Sequence, residues 1–92
     1  MKQKIILKDN ILYKNDDEIK ISFMQSVILK YLADEMVHSY ISIIKKAKMK
    51  RGVFEKERLK NLIYKIKKKT NLDIEELKNE GFFLNQKIYI IN

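Results

Sequence analysis

Arg58, Lys60, Asn61, Tyr64, Lys65, Lys67 and Lys68 stand close together in the chain, with Leu59, Ile63 and Ile66 recurring among them at helical spacing. A helix of that pattern buries one face and turns the named side chains outward. Outward cations attract phosphate and release the counterions condensed on a polyanion. An asparagine amide can pair with adenine, and an arginine or lysine with guanine, through two hydrogen bonds each, so Asn61, Arg58 and Lys65 are candidates for reading base edges. The remaining lysines, Lys67 and Lys68 foremost, suit phosphates, which position a protein without specifying sequence.

The charge is local. Lys45–Lys69 holds twelve basic residues against Glu55 and Glu57, a surplus of ten, whereas the rest of the chain holds eight basic against ten acidic. The net charge of +8 therefore resides in that one stretch. Lys, Ile and Asn are abundant throughout, as an AT-rich genome imposes on any protein, so the basic isoelectric point alone says little. Clustering says more, because a stripe of cations on one helix creates a local potential, although a charge run can also be simply a solvated face.

Ninety-two residues suffice for one small domain with a single modest core. With 46% apolar and 35% charged residues, the chain has the composition of a globular protein, not of a disordered or membrane-spanning one. The absence of cysteine excludes a disulfide framework, a thiolate nucleophile and a cysteine-ligated zinc site. His38 is the only histidine, which leaves a metal site or a catalytic triad without partners. Asp16, Asp17 and Glu18 gather three carboxylates, but at a turn, where solvated charge usually sits. With no glycine-rich phosphate loop and no nucleophile motif, neither an enzyme nor a cofactor or metal is expected. No apolar run reaches transmembrane length, and the opening MKQKIILKDN turns charged too soon for a signal peptide, so a cytoplasmic protein without a membrane partner is expected.

These side chains need a scaffold, and its parts are readable. Ile5–Lys8, Ile11–Asn15 and Glu18–Ile21 predict a short antiparallel meander, with Asp9-Asn10 and Asn15-Asp16-Asp17 as turns. Ser22 followed by Gln25 forms a capping-box signature and opens a helix to about Met36, with Phe23, Val27, Tyr31, Leu32 and Met36 on its inner face. Val37-His38-Ser39 is a connector or a brief strand. Ser39 caps a second helix to about Lys48, with Ile43, Ile44 and Ala47 inward, and Gly52 marks a compact loop, Met49–Phe54, before the basic helix. For Asp73–Glu80, local propensity predicts a short helix closed by Gly81. Phe82–Leu84 and Lys87–Ile91 read as extended around a turn at Asn85-Gln86.

Strands, three helices with a basic third, and terminal strands follow the order of a winged helix-turn-helix. Specific segments resemble the effector domain of OmpR/PhoB-type bacterial response regulators. Ile19-Lys20-Ile21-Ser22 through Leu32-Ala33 resembles the strand that ends in that family's capped first helix. Ser39-Tyr40-Ile41-Ser42-Ile43-Ile44 resembles its second-helix start, and Ile63-Tyr64-Lys65-Ile66-Lys67-Lys68-Lys69 the basic close of its recognition helix. Ile74 to Leu84, ending Gly81-Phe82-Phe83-Leu84, resembles its glycine-aromatic wing.

The resemblance implies an α+β fold: a short N-terminal antiparallel sheet (1–21), a three-helix core (22–70) and a C-terminal β-hairpin wing (71–92), in one domain spanning 1–92. It makes Ile74–Leu77 a wing strand instead of part of a helix and puts Lys78 at a wing tip facing the minor groove. It further implies transcription regulation through double-stranded DNA, contact of the Met49–Phe54 loop with RNA polymerase, and a homodimer on repeated half-sites. The family's receiver domain has no counterpart here, leaving a stand-alone effector or a segment of a longer regulator. Asn79 replaces a second glycine of the family's turn, Lys60 replaces an acidic residue, and the N-terminal sheet is shorter than usual. Two other readings stay open: an RNA or single-strand binder that stacks bases on Phe82 and Phe83, with Tyr89 as a third aromatic, or a protein-interaction adaptor.

Overall fold

The computed structural model describes residues 4–91, so the first three residues and Asn92 of the expected 1–92 domain lie outside the described part. Three strands open it: β1 (Ile5–Lys8), β2 (Ile11–Lys14) and β3 (Asp17–Lys20), paired antiparallel in sequence order. The turn residues act as expected, with Asp9 at φ 54° and Asn15 at φ 58°, left-handed conformations that these side chains tolerate. Leu7 stands opposite Leu12, and Leu12 opposite Ile19, so one face of the sheet is apolar and turns toward the helices.

Helix α1 (Phe23–Leu32) starts on the capping box that Ser22 and Gln25 announce. The Ser22 hydroxyl accepts from the Gln25 amide at 3.1 Å, and the Gln25 side chain accepts from the Ser22 amide at 2.9 Å. Replacing Ser22 by Ala removes one of these bonds, and chemical denaturation is expected to show a loss of about 1 kcal/mol.

The expected inner face of α1 needs correction. Leu32 is buried, but Phe23 is 74% exposed and Met36 64%, while Gln25, Ser26, Ile28 and Leu29 face the core. Two overlapping i, i+4 stripes compete on this helix, and periodicity alone does not choose between them. A tertiary bond accompanies the observed choice: the Ser26 hydroxyl donates to the Asp9 carbonyl in the β1–β2 turn at 2.9 Å, while Gln25 is held locally in the cap. The helix also ends at Leu32 instead of Met36. Glu35 turns left-handed at φ 62°, and Asp34 accepts from the Met36 amide. Desolvation works to raise the Asp34 pKa, but the bonds from the Met36 amide and the His38 ring outweigh it and leave the carboxyl below its ordinary value.

A brief strand, β4 (His38–Ser39), leads into α2 (Tyr40–Lys46), capped by the Ser39 hydroxyl, and Ile43, Ile44 and Ala47 face inward as the sequence predicts. Helix α3 (Glu55–Thr70) buries Leu59, Ile63, Ile66 and Thr70. It stops at Asn71, left-handed at φ 56°, and the Lys14 ammonium on β2 donates to the Thr70 and Asn71 carbonyls at 3.4 and 3.3 Å, a cation at the negative end of the helix.

Asp73–Glu80 is not a helix. It forms β5 (Ile74–Leu77) and a turn into β6 (Gly81–Leu84), as the resemblance implied, with Asn79 taking φ 66° where that family carries a glycine. Pairing of β6 with β4, far back in the chain, overrides the local helical preference: His38 stands opposite Phe82 and Ser39 opposite Gly81. The terminal strand β7 (Tyr89–Ile91) does not extend this hairpin, so in place of the expected C-terminal hairpin over 71–92 the hairpin ends at Leu84. Instead, β7 pairs parallel to β1 and becomes the fourth strand of the N-terminal sheet, ordered β3-β2-β1-β7.

The architecture is a small α+β domain of three helices and two sheets among the described residues, the second sheet ordered β4-β6-β5. Leu7, Leu12, Ile28, Leu29, Ile44 and Leu59 belong to one core that joins the four-stranded sheet to the helices. No helix among the described residues is long and apolar enough to cross a membrane.

Candidate nucleic-acid interface

With Leu59, Ile63 and Ile66 buried, every polar residue singled out on α3 is exposed, and the residues divide by face. Asn61, Lys65 and Lys68, at i, i+4 and i+7, form the stripe opposite the core. Lys60, Tyr64 and Lys67, at i, i+4 and i+7 from Lys60, form a second stripe turned toward the β5–β6 hairpin. A shallow cleft of about 150 Å³ separates the second stripe from Ile74, Glu76 and Phe82. Lys78, at the hairpin tip, is exposed beside Glu80. The hairpin tip carries one cation with Glu80 two residues on in the chain, a weaker positive surface than the helix.

Two of the seven helix residues already have partners. The Arg58 guanidinium donates to the Lys50 carbonyl at 2.5 Å, which ties the first turns of α3 to the preceding loop. That tie turns at least one of the Arg58 N–H groups away from any base. Lys60 forms an ion pair with Glu76 on β5, Nζ to Oε2 at 3.4 Å. Asn61, Tyr64, Lys65, Lys67 and Lys68 have no hydrogen-bond or ion-pair partner for their side chains among the described residues.

Glu76 is the residue that reading the sequence missed. Its Oε2 also accepts from the Tyr40 hydroxyl at 2.6 Å, the Tyr40 ring meets Phe82 edge-on at 5.6 Å, and the Lys56 ammonium stands 4.3 Å from the Tyr40 ring centre. This cluster fixes α2, α3 and β5 relative to one another, and so sets the angle between the basic helix and the hairpin. Only an unusual acidic pair, Glu75-Glu76, beside the basic stretch could have pointed to it. The Tyr40 bond foremost, then Lys60, holds the Glu76 carboxyl below its ordinary value of 4.5. A carboxylate with a depressed folded-state pKa contributes stability above its unfolded pKa and loses that contribution as pH falls through the folded value. Glu76→Gln is therefore expected to flatten the stability-pH curve below about pH 4.5 by no more than about 1 kcal/mol, since the group is solvent-screened. Denaturation midpoints across that range check it.

The loop before α3 is held from the other side. The Arg51 Nε donates to Glu55 at 2.6 Å, the Gly52 amide donates to the same carboxylate, and the Arg51 bond foremost lowers the Glu55 pKa. Val53 and Phe54 are left exposed at the loop's outer edge.

Phe82 is 4% exposed and packed under Tyr40, while Phe83 points to the opposite side of β6 and Tyr89 lies in the other sheet. The stacking platform of Phe82 and Phe83 therefore does not form. His38 Nε2 lies 2.9 Å from Asp34, and its ring packs tilted by 35° against Tyr31, with the ring centres 4.1 Å apart, at the start of β4. No group of three or more His, Asp or Glu among the described residues could hold a metal ion.

The fold and the site define a small α+β domain that presents one basic helix beside a two-stranded hairpin. In comparisons with known proteins, no family model and no curated protein matches the chain.

Proposed function

We propose that the chain is a winged helix-turn-helix domain that binds double-stranded DNA in a sequence-specific manner and regulates transcription in a bacterium. The observation that carries this reading is the outer stripe of α3. Asn61, Lys65 and Lys68 lie on one helical face, opposite the buried leucine and isoleucines, without a partner among the described residues. An α-helix fits the major groove, and such a stripe supplies a base-reading amide and cations in register with it.

In this reading α3 is the recognition helix, α2 crosses behind it, and the β5–β6 hairpin is the wing. Asn61 and Lys65 read bases, and Lys67 and Lys68 hold phosphates. Tyr64 lines the cleft side, and Lys60 meets phosphate only by exchanging its bond to Glu76. Arg58 acts mainly through the loop it anchors, and Lys78 approaches the backbone at the hairpin tip. The exposed Val53 and Phe54 support the loop as a surface for RNA polymerase, and two copies on repeated half-sites complete the regulator.

The burial of Phe82 favours duplex over single strands, because it removes the stacking surface an unpaired base would need. Selection of bound duplexes from a random pool, followed by competition at one salt concentration, tests the proposal. A recurrent site that outcompetes unrelated duplex, single-stranded DNA and RNA is expected. Equal affinity for all of them would overturn sequence-specific duplex binding.

A further inference from the structure

Phe23 and Met24 open α1 and are exposed, 74% and 37%, although burial would favour both. Exposed apolar side chains standing singly are ordinary, but these two do not stand singly. Val27 and Tyr31 continue the stripe along α1, and Ala47 at the end of α2 adds to the floor. The result is a trough between the two helices. A stretch of about 410 Å³ lies against Phe23, Met24 and Val27, and a neighbouring stretch of about 480 Å³ against Val27 and Tyr31 shares Val27 and Lys46 with it.

The rim is cationic. Lys45, Lys46 and Lys48 come from α2 and its end, and Lys30 from α1, with the Lys46 ammonium 5.8 Å from the Tyr31 ring centre. The one carboxylate on the rim, Asp34, is already engaged by His38. A wholly apolar partner would desolvate four ammonium groups without compensation. A nucleic acid would meet Met24, Val27 and Ala47 with no amide to read its bases. Of the two aromatic rings in the trough, Tyr31 is already met by His38 at 4.1 Å and by Lys46, which leaves Phe23 alone for stacking. An amphipathic helix satisfies both parts, laying apolar side chains into the trough and carboxylates against the rim.

We propose that the trough between α1 and α2 is a docking site for an acidic amphipathic helix of a partner protein. The site lies apart from α3, so it stands or falls independently of DNA binding. The probe is a synthetic helix-forming peptide of about 18 residues with Leu and Phe at i, i+4 spacing and Glu at the flanking positions. A control peptide carries Lys in place of Glu.

Titrated into isotope-labelled protein, the Glu peptide is expected to shift amide resonances of Phe23–Tyr31 and Lys45–Lys48, and the Lys peptide none. Phe23→Ala with Lys46→Glu should weaken the Glu peptide at least about tenfold while the fold is kept, the melting temperature falling by no more than roughly 10 °C for the lost cation at the end of α2. Shifts centred on α3, an equal response to both peptides, or no response to either would overturn the proposal. So would tighter binding of an oligothymidylate strand at the same residues, or the same shifts on raising protein concentration alone, which would assign the trough to nucleic acid or to a second copy.

Discussion

Reversing the charge of Lys67 and Lys68 together is expected to lower duplex DNA affinity by at least about a hundredfold at moderate salt and to reduce the slope of log affinity against log salt by about 2. Each lysine, if it neutralises a phosphate, releases about one counterion, and a glutamate in its place adds repulsion. Both side chains are exposed and lack partners among the described residues, so the fold should be kept, with a loss of no more than about 2 kcal/mol from placing carboxylates in the last turn of α3. A circular dichroism melt beside the binding isotherm separates the two effects. Asn61→Ala supplies the contrast. An amide that reads adenine is worth about 1–3 kcal/mol at one base pair and nothing in the salt slope, so this variant should relax preference at a single position of the selected site. If the lysine pair and Asn61 behaved alike, or if neither change mattered, α3 would not be the helix that reads DNA.

Gly81→Ala is expected to be the most destabilising conservative change in the chain. A Cβ built at Gly81 would lie 2.6 Å from the His38 carbonyl carbon and 2.9 Å from the Ser39 Cα, and both are backbone atoms of the paired strand β4. A flexible side chain could swing aside, whereas β4 could yield only by breaking its pairing with β6. A loss of about 2–4 kcal/mol follows, which for a domain of this length lowers the melting temperature by roughly 10–25 °C. Gly52→Ala is the control. Its nearest neighbour is the Arg58 guanidinium at 3.5 Å, an ordinary contact, so a change within about 0.5 kcal/mol is expected. Similar melting temperatures for the two variants would mean that β4 and β6 are not held together as described.

The two glycines also show how far the sequence could be read. Both were recognisable as punctuation, one in a loop and one beside aromatic residues. The need for glycine at 81 comes from the approach of β4, more than forty residues earlier, and no local pattern carries that information. The acidic turn Asp73–Glu80 illustrates the same point. Its charge and caps favour a helix, and pairing across the β4-β6-β5 sheet made it a strand and a turn instead. The apolar stripe of α1 is ambiguous in the sequence because two stripes overlap on that helix, and the Ser26 hydroxyl, which bonds the distant Asp9 carbonyl, belongs to the one that is buried.

The amphipathic third helix, the capping box, the turns at Asp9 and Asn15, and the concentration of charge in Lys45–Lys69 were determined by sequence alone, because each depends on interactions within a few residues. Tertiary structure decided the rest. It spent Arg58 on a loop carbonyl, tied Lys60 through Glu76 to Tyr40, buried Phe82, and carried the last strand back to β1. Hydrogen bonds and contacts between distant segments settle which exposed cations remain free for a ligand, and those partners become neighbours only when the chain has folded.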